Sequence, residues 1–251
     1  AIAAVNVFNM EQILGLFQAG ERGNAPFIVQ TTPLARNYAG TEMLISMIGA
    51  ASKLYPKATF AIHLDHGDEE HALDAISSNK YNSVMIDASH DNFDKNISRT
   101  KAIVQKAHLN NVFVEAELGV LSGVEDDISI DEKNAKYTQP SEVEQFVKLT
   151  NCDSLAVAVG TSHGAYKFSS GQGIQFDILQ DIQQRLPKFP IVLHGGSAVD
   201  KREIERINQN GGSLTEGAAG VSSEEIVKSI KYGVCKINIA TDIRLIWTRV
   251  H

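Results

Sequence analysis

Imidazoles and carboxylates collect at the ends of apolar runs in this chain. His63-Leu64-Asp65-His66-Gly67 closes one run, Met85-Ile86-Asp87-Ala88-Ser89-His90 a second and Glu115-Ala116-Glu117-Leu118-Gly119 a third. Gly160-Thr161-Ser162-His163-Gly164, His194-Gly195-Gly196-Ser197 and Asn238-Ile239-Ala240-Thr241-Asp242 close three more. Three of these ends carry a histidine at corresponding positions: His66, His163 and His194. Neutral imidazoles from three strand tips can converge on one divalent cation and leave coordination positions open. Nitrogen ligands suit Zn2+ first, with Co2+ or Mn2+ as further fits. One such histidine alone reads as a hydrogen-bonded core residue; three at corresponding positions read as metal ligands.

Asp65, beside His66, suits two roles: partner of a ligand histidine, or general acid/base. Asp87 and Glu117 suit a second cation or hydrogen bonds to neighbouring strands. His63 and Glu115, two residues before Asp65 and Glu117, read as structural, and His71, His90 and His108 as solvated. The stretches 194–197 and 238–241 fit an anion by their position, where barrels commonly hold phosphate, and in the first the glycines let backbone N–H groups approach a ligand closely. Together with a metal they point to a phosphorylated small substrate.

The elements that must carry these residues alternate eight times. Strands are expected at Ala3–Phe8, Phe27–Thr31, Phe60–Leu64, Ser83–Asp87, Val112–Glu117, Leu155–Gly160, Ile191–His194 and Val234–Ile239. Most are near-continuous apolar runs, as parallel strands covered on both faces require. Helices are expected between them, with Ser141 and Ser222 as N-caps completed by Glu144 and Glu225 three residues on. Eight such units predict an α/β fold, a (β/α)8 TIM barrel whose chemistry sits at the C-terminal ends of its strands. Long loops are expected after strands 5 and 7, at Gly119–Pro140 and Asn208–Ser222, the length of functional excursions. No G-x-G-x-x-G follows the first strand. A single barrel domain over 1–251 is expected, with both ends continuing in a longer gene product.

The net charge of −7 argues against a nucleic-acid partner. No apolar run approaches the ~18 residues of a membrane span. Cys152 and Cys235 lie far apart without Cys-x-x-Cys spacing, as for free thiols in a reducing compartment, which predicts a cytoplasmic protein.

These segments, with Val114-Glu115-Ala116-Glu117-Leu118-Gly119 and Asn238-x-x-Thr241-Asp242, resemble the class II, metal-dependent fructose-bisphosphate aldolases and the similar tagatose-bisphosphate aldolases over nearly the whole chain. The resemblance implies reversible cleavage of a ketose 1,6-bisphosphate to dihydroxyacetone phosphate and glyceraldehyde 3-phosphate. It implies catalytic zinc on His66, His163 and His194, and an alternative metal site at Asp87 and Glu117. Asp65 then handles the C4 hydroxyl proton, and Glu125 in the loop after strand 5 shuttles the carbon proton. Gly164, Gly195, Ser197, Asn238 and Thr241 hold the dihydroxyacetone phosphate moiety, within stretches that also contain Gly196 and Ala240. Lys167 and Thr32 match positions near the phosphates.

A monovalent cation (Na+ or K+) and a homodimer or homotetramer are further implications. Ser122 departs from the usual loop residue. Ala240 stands where fructose-type members often carry Asp and tagatose-type members Ala, while the overall run of motifs favours fructose bisphosphate. A metal-dependent hydrolase would place His-x-His on strand one, which here reads Val5-Asn6-Val7-Phe8. A non-catalytic metal-binding barrel would tolerate loss of Asp65 and Glu125, and both are present.

Overall fold

Polar capping residues punctuate the apolar runs and set the rhythm of the fold. The structure, a computed structural model, describes residues 1–125, 128–130, 135–164, 173–215 and 218–251. Two compact units divide the chain: residues 2–116 with 149–153, and residues 117–148 and 154–251 with residue 1.

In the first unit, β1 (Ile2–Asn6), β2 (Phe27–Thr31), β3 (Phe60–Gly67), β4 (Ser83–Ile86) and the start of β5 (Phe113–Leu118) pair in parallel, each with the next. Side-chain caps start the helices between them. Asn9 accepts from Gln12 N ahead of α1 (Met10–Gly23), and Thr32 from Ala35 N ahead of α2 (Pro33–Ala39). After α3 (Thr41–Leu54), Asp68 accepts from His71 N ahead of α4 (Glu69–Ser77), and Asn92 from Lys95 N ahead of α5 (Phe93–Leu109). Each cap satisfies an amide that the helix itself leaves without a partner, worth about 1 kcal/mol. The core gathers Val7, Ile13, Phe17, Phe27, Val29, Leu44 and Ile48. Phe17 meets Phe27 edge-on at 5.2 Å and Phe60 at 4.7 Å between ring centroids.

The second unit contains β6 (Ser122–Glu125), β7 (Ile128–Ile130), most of α6 (Pro140–Thr150), β8 (Ser154–Val157), β9 (Ser162–His163) and α7 (Phe176–Arg185). β10 (Ile191–Leu193), α8 (Lys201–Gln209), α9 (Ser223–Ile230), β11 (Val234–Ile239) and α10 (Thr241–Val250) complete it. β10 pairs in parallel with both β8 and β11. The Ser222–Glu225 capping box forms as expected, but α6 starts at Pro140, so Ser141 lies inside the helix and is not its N-cap. Proline suits the first helical turn because the N–H it lacks has no acceptor there. A small core of Val199, Ile204, Ile207, Ala218 and Leu245 supports the segment after β10.

The eight principal strands close a barrel in the order β1-β11-β10-β8-β5-β4-β3-β2, the α/β barrel that the alternation predicts. The segment after β5 is more ordered than a plain loop. β6 pairs antiparallel with β7 and parallel with β9 in a separate three-stranded sheet. Strand six stops at Val157, so His163 sits on β9 rather than on a barrel strand. No helix among the described residues is long and apolar enough to cross a membrane.

Candidate active site

Strand β3 continues three residues past its expected end and takes Asp65 and His66 with it. Its register against β4 breaks between Leu64 and Gly67, and His66 has φ +47. Regular alternation would turn neighbouring side chains to opposite faces; an irregularity re-aims one of them. A non-glycine residue in the left-handed region stores on the order of 1–3 kcal/mol of strain, typically where function demands it. Gly67 is required beside it, since a Cβ there would lie 2.8 Å from Met85 O.

His66 Nδ1 lies 2.8 Å from Asp87 Oδ2. Asp87 is buried, which by itself disfavours its charge, but the hydrogen bond and charge of His66, with two hydrogen bonds from Ser89, hold the carboxyl well below the ordinary range. An ionised Asp87 only accepts, so Nδ1 carries the proton and Nε2 is the nitrogen His66 can offer a metal. Asp87 Oδ1 takes the Ser89 N–H and hydroxyl at 3.2 and 2.8 Å. Both of its oxygens thus orient a histidine and a turn.

Asp65 is fully buried. Asn6 Nδ2 donates to its Oδ2 at 3.0 Å, and Gln30 Nε2 donates to Asn6 Oδ1 at 2.7 Å. This amide chain through β1 and β2 fixes the carboxylate from beneath. Neither amide was singled out from sequence. The available signal was an Asn and a Gln inside runs otherwise built for burial, Ile2–Phe8 and Phe27–Thr31, where a polar group needs a partner. His63 is buried against Ser83 Oγ at 2.7 Å and Glu115 Oε2 at 3.8 Å, in keeping with a structural role. His63, Asp65 and Glu115 present ligand atoms within 4.8 Å of one another. His71 bonds its own helix cap, Asp68, while His108 bonds Asp153 and, like His90, is exposed.

In the second unit Glu117 is 2% exposed. His194 follows β10, is fully buried, and meets His163 ring to ring at 5.9 Å between centroids. The glycines beside them are geometric requirements. Gly195 has φ +64, and a Cβ there would sit 2.4 Å from Ser162 O. Gly196 N donates to Asn238 O at 3.0 Å, and Ser197 Oγ accepts from Ala240 N at 3.1 Å. The two stretches read as anion sites are therefore stitched to each other. Asn238, Thr241 and Ser197 are buried, Ala240 is half-buried, and Gly164 has φ +79.

Thr32 is fully buried as the α2 cap; its oxygen accepts from Ala35 N, which leaves its hydroxyl proton to donate. Glu125 ends β6, where its backbone pairs with Ile128. Lys167 lies outside the described residues.

The family model for class-II fructose-bisphosphate aldolase matches residues 1–251. The chain belongs to that family. The Helicobacter pylori (strain ATCC 700392 / 26695) fructose-bisphosphate aldolase is 41% identical over 244 residues, 97% of this chain and 79% of that protein. The Giardia intestinalis fructose-bisphosphate aldolase is 42% identical over 249 residues, 98% of this chain and 76% of that protein. Among solved structures, the YdjI aldolase of Escherichia coli K12 superposes with a TM-score of 0.74 at 28% identity, covering 96% of this chain and 76% of that one. Membership makes the chain a lyase of a metal-dependent class that acts on a phosphorylated ketose.

Proposed function

We propose that the chain cleaves fructose 1,6-bisphosphate reversibly to dihydroxyacetone phosphate and glyceraldehyde 3-phosphate, with a divalent cation, Zn2+ by preference, on His66, His163 and His194. The observation that carries the reading is the family match over residues 1–251, and two of the three imidazoles, His163 and His194, meet ring to ring at 5.9 Å between centroids. His66 also has its tautomer fixed for ligation by Asp87. The Asp87 carboxylate beside His66 and the buried Glu117 support the alternative metal position that Asp87 and Glu117 would hold. With the cation bound, the site gains a Lewis acid for the negative charge that develops on the ketose oxygens.

The chain's own residues do the rest. Asp65, oriented by Asn6, accepts the C4 hydroxyl proton as the C3–C4 bond breaks and returns it to the aldehyde oxygen in condensation. Glu125 delivers a proton to the carbon left behind. Gly195, Gly196 and Ser197, with Asn238, Ala240 and Thr241, form the turn that takes the dihydroxyacetone phosphate end, beside Gly164 and a Na+ or K+ ion. Lys167 and Thr32 serve the phosphates. The same reading takes 1–251 as one barrel domain of a cytoplasmic homodimer or homotetramer, with neither nucleic acid nor membrane as partner.

The test compares cleavage rates on fructose and tagatose bisphosphates, with and without EDTA. Faster cleavage of the fructose ester, abolished by EDTA and restored by Zn2+, is expected; a clear tagatose preference overturns the substrate assignment. Asp65→Ala should keep its metal and lose roughly 10²–10⁴ in turnover. Unchanged turnover removes Asp65 from proton transfer.

A further inference from the structure

The segment from His194 to Val199 is held in a bent form by one carboxylate that the reaction does not use. Asp242 Oδ2 accepts from Ala198 N at 2.8 Å, and Oδ1 accepts from Val199 N at 2.7 Å. Val199, in consequence, has φ +55. A β-branched residue is a genuine outlier in that region, because its Cβ branches crowd the backbone. It persists only where the surroundings over-determine it. Two attachments do so here: the paired hydrogen bonds to Asp242, and burial of the Val199 side chain among Ile204, Ile207, Ala218 and Leu245.

The rest of the segment is gripped from the same side. Gly196 N and Ser197 Oγ are tied to Asn238 O and Ala240 N, and Ser197 O accepts from Val221 N at 3.1 Å. Gly220 N donates to Ala198 O, and a Cβ on Gly220 would meet Ser197 O at 1.9 Å. Asp242 lies in the first turn of α10, where the helix dipole favours its charge. Its carboxylate sits between a helix start and two loop amides.

We propose that Asp242 is the positioning residue of the anion cradle, clamping Ala198 and Val199 so that the turn at Gly195–Ser197 is held in the shape that receives the substrate phosphate. The clamp rests on the proposed phosphate-binding role of residues 195–197. Asp242 itself touches no substrate; it acts through the shape of the loop. Preforming a cradle reduces the ordering cost of binding, so its loss appears in affinity before it appears in chemistry.

The experiment uses the full metal-loaded chain with Asp242→Ala and the near-isosteric Asp242→Asn. The readouts are kcat and KM for the ketose bisphosphate, and the Kd of inorganic phosphate by calorimetry. Losing two charge-assisted hydrogen bonds should raise KM and the phosphate Kd by about tenfold or more in Asp242→Ala, with kcat lowered less than about threefold. Asp242→Asn keeps one acceptor oxygen and should fall between; it also carries the test if the Ala variant does not fold.

KM and phosphate Kd unchanged in both variants, or kcat lost with KM intact, overturns the clamp while leaving the aldolase reading in place. A chain that cleaves no ketose bisphosphate, yet binds phosphate more weakly in the variants, overturns the aldolase reading and keeps the clamp. An unaltered chain that binds no phosphate overturns the clamp.

Discussion

Replacing Asn6 by leucine should damage catalysis without touching the metal. Asn6 is 1% exposed, and its amide donates to the fully buried Asp65 carboxylate at 3.0 Å while accepting from Gln30 at 2.7 Å. Leucine is of similar size and has no donor, so the perturbation is a lost hydrogen bond rather than a cavity. A hydrogen bond to a charged group contributes about 1.5–3 kcal/mol. Lost from the acid/base step, that energy corresponds to a roughly 10- to 150-fold fall in kcat.

The Gln30 amide, left without its acceptor in the core, should cost a further ~1–3 kcal/mol of folding stability. Gln30→Leu should have a smaller effect on kcat, because Gln30 acts on Asp65 through Asn6. In the double variant the Gln30 effect on kcat should nearly vanish, as coupled neighbours require. The assay is steady-state cleavage on all four proteins, with zinc content and urea midpoints measured in parallel. A kcat for Asn6→Leu within about twofold of the unaltered chain would refute the reasoning, as would strict additivity in the double variant.

Three further outcomes follow from the same geometry. Asp87→Asn removes the anion that holds the His66 Nδ1 proton at 2.8 Å and should weaken zinc about 10–100-fold against a chelating dye; unchanged affinity argues that Asp87 does not set that tautomer. Gly195→Ala adds a Cβ 2.4 Å from Ser162 O at φ +64, and should lower the melting temperature and abolish cleavage, whereas a stable, active variant would sink the geometric claim. Burial pushes the Cys152 thiol from 9.0 up to about 11. A raised folded value means stability present below pH 9 is lost as pH rises towards 11, by about 3 kcal/mol. Urea titrations of the chain and Cys152→Ala across that window should show the difference in slope, and parallel curves would contradict it.

Much of the barrel was legible because parallel strands covered on both faces must be largely apolar, a property visible in Phe27–Val29 or Val84–Ile86 without any structure. The helix start at Ser222 was legible for a local reason: a cap and the amide that donates to it lie within three residues. The β6–β7–β9 sheet was not, since Ser122–Glu125 carries no alternation and its parallel partner, Ser162–His163, lies about forty residues on. Ser141 misled because a capping-box spelling also occurs one residue inside a helix that starts with proline.

The sequence by itself determined which residue types meet at the strand ends, and so the family and its chemistry: three imidazoles, a run of carboxylates, and glycine-bearing turns suited to an anion. Tertiary structure alone decided what holds each of them. The left-handed backbone at His66 follows from a register break against β4. Asp65 is aimed by Asn6, 59 residues away, and the turn after His194 is clamped by Asp242, over forty residues downstream. A hydrogen bond of this kind leaves no spacing rule in the chain, because its length in space is about 3 Å whatever the separation in sequence.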